Sequence, residues 1–88
     1  MNDQRILEEL LGLLEASKVQ IRREPMGGAG GGLCTVKGEF VFFLDTQASA
    51  GEMAAKCAEA VSRVLDIENI YIRPEVREYI EHGGRRMK

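Results

Sequence analysis

Two cysteines, one histidine and a run of glycines are the parts of this 88-residue chain whose types could do chemistry. A thiol nucleophile needs a base within hydrogen-bond reach and a third group to orient that base. Cys34, Cys57 and His82 fall on three separate stretches, and no motif frames them as a set. The two cysteines lack the Cys-x-x-Cys spacing of a redox or zinc pair. Both therefore read as small hydrophobes, and they would meet in the core if the strand bearing Cys34 packed on the helix bearing Cys57. With a single histidine the chain offers too few converging ligands for a metal centre, and no metal or other cofactor is expected. His82 comes at the end of a helical stretch, where its charged form suits the helix dipole. Carboxylates are plentiful, but none is framed by apolar residues that would raise its pKa for acid–base work.

The second chemical candidate is Gly27–Gly32, Gly-Gly-Ala-Gly-Gly-Gly. Glycine-rich loops cradle phosphates where they open a helix. This one precedes a β-rich stretch, and no Gly-Lys-Ser/Thr follows it. It reads first as a connector between strands. The competing use is close backbone approach to a ligand, with Gly28, Gly30 and Gly31 lining the site and Cys34 beside it. That alternative is a small-molecule-binding or thiol-dependent enzymatic unit. The order strand, turn, then a helix holding Ala58-Glu59-Ala60-Val61-Ser62 is similar to the strand and HExxH helix of zinc peptidases. Both histidine positions are occupied by other residues, Ala58 and Ser62, so metal binding and hydrolysis do not carry over.

The elements around these residues follow from periodicity. Residues 3–16 read as a helix capped by Asn2 or Asp3. Ile6, Leu10, Leu13 and Leu14 make its apolar stripe, and Leu7 and Leu11 widen it enough to meet more than one surface. Lys18 to Glu24 alternates strictly and predicts a charged edge strand that ends at Pro25. Leu33–Lys37 and Glu39–Leu44 flank Lys37-Gly38, a hairpin signature. In that register Leu33 faces Phe42 and Thr35 faces Phe40 on one side. Cys34 lies opposite Val41, and Val36 opposite Glu39, on the other, so both faces carry apolar groups.

Ser49-Ala50-Gly51-Glu52 fits a capping box for a helix running to about Leu65. Glu52, Lys56, Glu59 and Arg63 line one side of that helix and read as a solvated face. Ile70–Ile72 suggests a short fourth strand or a segment lying across the core, Pro74 opens a last helix, and Gly83 caps it. Residues 83–88 form a frayed basic tail.

The whole reads as one small α+β domain over residues 1–88. Its expected core is a three-stranded antiparallel sheet packed by three helices in the order α-β-β-β-α-α. The net charge of −2 and the few aromatics argue against nucleic acid. No apolar run approaches bilayer length, and the acidic N-terminus lacks a secretion signal. Both point to a cytoplasmic protein with reduced thiols. A sheet apolar on both faces in so short a chain suggests an interface. The expected function is a non-enzymatic protein-interaction module, a homodimer or a partner of another protein. Leu33, Phe40 and Phe42, or Leu7 and Leu11 of the first helix, would carry the contact.

Overall fold

The computed structural model of the protein describes residues 2–81. Helix α1 spans Asp3–Ala16, and the side chain of Asn2 caps it by accepting from the Arg5 amide at 2.9 Å. Its C-terminus closes with the amide of Lys18 on Glu15 and that of Val19 on Leu14, the two bonds of a Schellman ending. Lys18 takes the left-handed position there, φ 70°. That turn aims the chain into strand β1, Gln20–Glu24. Strand β2 is Gly32–Val36 and β3 is Glu39–Asp45. Lys37 and Gly38 join them with φ of 52° and 82°, the two positive values of the tight turn that suits a hairpin's twist.

The strands lie in the order β1-β3-β2. β2 pairs antiparallel with β3, and β1 pairs with β3 in parallel. The sheet is therefore mixed, which corrects the purely antiparallel sheet expected from the sequence. The cause is the link of residues 25–31. Glu24 lies beside Asp45, and Gly32 beside Phe43. The link must therefore pass across the end of β3 rather than turn back on β1. Alternation along β1 fixes its faces but carries no information on its direction.

Helix α2 spans Ala50–Val64 and starts with the expected box: Ser49 accepts from the Glu52 amide, and the Glu52 side chain accepts from the Ser49 amide. Helix α3 is Pro74–Glu81. α1 packs over β1, α2 packs over β2 and β3, and α3 rests on both helices. All of them cover one face of the sheet. Phe42 is fully enclosed there among Leu10, Leu14, Met53, Cys57 and Val61, with Ile21, Leu33 and Leu44 at its margin. Each large aliphatic or aromatic group so enclosed is worth about 1.5–3 kcal/mol.

Residues 70–72 form no strand, and among the described residues the sheet has three. The segment runs between the turn at Asp66–Asn69 and Pro74, the first residue of α3. Ile72 drops into the core while Tyr71 stays 81% exposed. The Arg77 guanidinium fastens this link by donating to the Ile67 carbonyl. The expectations for His82 and for the tail 83–88 lie outside the described residues.

Candidate functional site

Asp45 is the one buried charged residue named in the core. It ends the central strand at the point where the glycine-rich link crosses. One carboxylate oxygen accepts from the amides of Met26 and Gln47, each at 2.9 Å, and the other accepts from the amide of Gly30, also at 2.9 Å. Burial pushes this carboxyl up, but the amides of Gln47, Gly30, Met26 and Gly28 outweigh it and hold the group below its ordinary 3.8. The carboxylate is thus an internal anion seated in a nest of backbone donors. The amide of Gly27 adds a bond to the Gln47 side chain at 2.6 Å.

Gly31 shows why the link needs glycine. A Cβ there would overlap the carbonyl oxygen of Phe43, so backbone must pass directly over backbone. Of the proposed ligand-site residues, the structure gathers Gly28, Gly30 and Gly31 around Asp45 and the end of β3. The amides of Gly28 and Gly30 that could have met a ligand are directed at Asp45. Cys34 lies apart from them, exposed on the sheet's uncovered face. Cys57 is buried beneath the other face, where desolvation pushes its thiol up to about 12. The two thiols sit on opposite sides of the sheet and do not pair.

The uncovered face carries Gln20, Arg22, Val36, Val41 and Phe43. With Lys37 and Glu39 these line a shallow depression of about 280 Å³, at the lower limit of small-molecule pockets. Arg22 stands 5.9 Å over the Phe43 ring and pairs with Glu24 at 3.0 Å, so cation and ring shield each other. Val41 is closed over by these neighbours, but Val36 at the hairpin end remains 44% exposed.

The residues expected to form an interface separate into two groups. Phe42, Leu7 and Leu11 are buried inside the chain's own core and present no side chain to a partner. That corrects the expectation for all three: the wide stripe of α1 is consumed by β1, α2 and α3. Leu33 is half-buried, and Phe40 remains 44% exposed beside the hairpin turn. Asp45 was the residue missed. Its signal was present, an acidic side chain closing an apolar strand next to a glycine-rich link, but nothing in its spacing told which amides it would meet. Among the described residues no three His, Cys, Asp or Glu groups cluster as metal ligands. No described helix is long and apolar enough to cross a membrane. No protein-family model, curated protein or solved structure matches the chain.

Proposed function

We propose that this protein is a non-enzymatic protein-interaction module of the cytoplasm that works as a homodimer. The observation that carries the reading is the β2–β3 hairpin. Val36 on one face and Phe40 on the other are each 44% exposed. Cys34 and Thr35, next to Val36 on β2, are exposed as well. Apolar groups gathered on one element of a small sheet are characteristic of a docking surface. The use of Gly28 and Gly30 amides on Asp45 weighs against the thiol-dependent or ligand-binding alternative, since those donors already hold an anion.

Native mass spectrometry of the full chain tests this, with Val36→Glu alongside. The expected wild-type mass is two chains with nothing else bound, and Val36→Glu shifts it to one chain while far-UV circular dichroism stays unchanged. One wild-type chain carrying a small molecule would overturn the proposal.

A further inference from the structure

We infer that two copies join through the free edges of β2, in an antiparallel register that sets Cys34 opposite Cys34. This rests on the homodimer reading and names its geometry. The hairpin determines which backbone groups are available. A two-residue turn makes Val36 and Glu39 a hydrogen-bonded pair, and such pairs alternate along an antiparallel ladder. Given the register of β2 on β3, Cys34 and Gly32 turn their amides and carbonyls inward to β3. Leu33 and Thr35 turn theirs outward, to an edge that no described strand occupies. Full overlap of two β2 strands then has one symmetric solution. Leu33 of each copy exchanges backbone bonds with Thr35 of the other, and the two Cys34 residues form the non-hydrogen-bonded pair on the dyad. Cα atoms at such a pair stand ~4.5 Å apart, inside the range a disulfide spans.

Side chains agree with this register. β2 carries no charge to resist pairing. Val36 comes to lie beside Gly32 of the second copy. With no side chain there, Val36 can meet the Phe43 ring beyond it.

The helix layer supplies the independent argument. α2 lies over β2 and β3 with α1 on its other flank. A Cβ on Gly30, in the link entering β2, would touch the stem of Lys56. The exposed row Glu52, Lys56, Glu59 and Arg63 therefore faces away from α1, out past the β2 edge. Lys56, Glu59 and Arg63 make no ion pair among the described residues. The dyad sets a second α2 antiparallel to the first at roughly 10 Å, the ordinary distance for packed helices. Read in opposite directions, the two rows match: Glu52 meets Arg63, and Lys56 meets Glu59. The charged row is then the facing surface of an isologous pair.

The test measures the dimer dissociation constant of the full chain by sedimentation for the wild type, E59K, K56E/E59K and T35P. E59K places lysine against Lys56 of the second copy at both symmetric sites, so affinity should fall about tenfold at low salt. K56E/E59K restores the opposition with signs exchanged and should return to within about twofold of wild type. T35P removes an outward amide without touching the β2–β3 bonds, and should give a folded monomer. Diamide should link wild-type chains through Cys34 alone. Each of the two thiols gives up a proton and an electron as the sulfur–sulfur bond forms, and diamide is reduced to its hydrazine. A wild-type dimer that ignores E59K, or that diamide does not link at Cys34, refutes this register while leaving the homodimer reading intact. A wild type that stays monomeric overturns both.

Discussion

The two edges of the sheet are built on opposite principles. β1 presents Gln20, Arg22, Arg23 and Glu24 and then stops at Pro25. Charge of this density, followed by a residue without an amide proton, keeps an open edge from recruiting a neighbour. β2 presents Gly-Leu-Cys-Thr-Val with no charge and no proline. Neither edge is paired by another strand among the described residues, so the difference lies in the residues that each presents. One edge is thus guarded against an added strand, and the other carries none of these guards.

The contrast between the edges depends on the crossing that carries the chain from one to the other, and breaking that crossing has the largest expected effect. Asp45→Ala leaves the amides of Met26, Gly30 and Gln47 without their acceptor. It should depress Tm more than a substitution at either sheet edge. Gly31→Ala forces a side chain into the Phe43 carbonyl and should cost about 3 kcal/mol in urea unfolding. The Asp45 carboxyl also gives the crossing a pH signature. Its folded pKa is below the ordinary 3.8. As pH falls through 3.8 the unfolded chain takes up a proton that the folded chain refuses, and stability declines until the lower, folded value is passed. Asp45→Asn, with less stability to begin with, should lose this part of the acid dependence. Parallel acid slopes for the two proteins would show that the carboxylate does not anchor the link.

Exchanging the character of the edges is the next effect in size, and it appears in assembly more than in stability. Arg22→Thr with Arg23→Thr strips β1 of its positive charge and uncovers the Phe43 ring. Light scattering should rise with concentration, while unfolding free energy moves by about 0.5 kcal/mol per site. Thr35→Lys puts charge on β2 and should suppress association at a similarly small cost in stability. If both variants scatter light like the wild type, edge chemistry does not govern assembly.

How far this could be read from the residues alone depended on range. Local signals held: the Asn2 cap, the Ser49–Glu52 box, the Lys37-Gly38 turn and the hairpin register all arise from neighbours within a few positions. The direction of β1 did not, because Ile21 packs beside Phe42 whichever way its strand runs. The burial of Leu7, Leu11 and Phe42 was equally hidden. A wide apolar stripe is the same in sequence whether its extra width meets another helix of the chain or another chain. Asp45 escaped for a related reason, since its amide partners lie up to 19 positions away. Long-range pairing is where pattern carries least.

The smallest effects are expected at the two lysines that flank these edges. Lys18 feeds β1 and Lys37 leaves β2, both at the same end of the sheet and both in the left-handed region, φ 70° and 52°. A side chain in that conformation costs about 1 kcal/mol, which glycine would avoid. Lys18→Gly and Lys37→Gly should each therefore raise the unfolding free energy by about 0.5–1 kcal/mol. Part of the gain is offset by the greater freedom of glycine in the unfolded chain. Their effects on assembly should differ. Lys18 borders the guarded edge, and its loss should leave association unchanged. Lys37 borders the bare one, where a second copy would approach, and removing its charge should alter the salt dependence of association. Equal behaviour of the two variants in salt would mean that the second copy does not reach the hairpin end of β2.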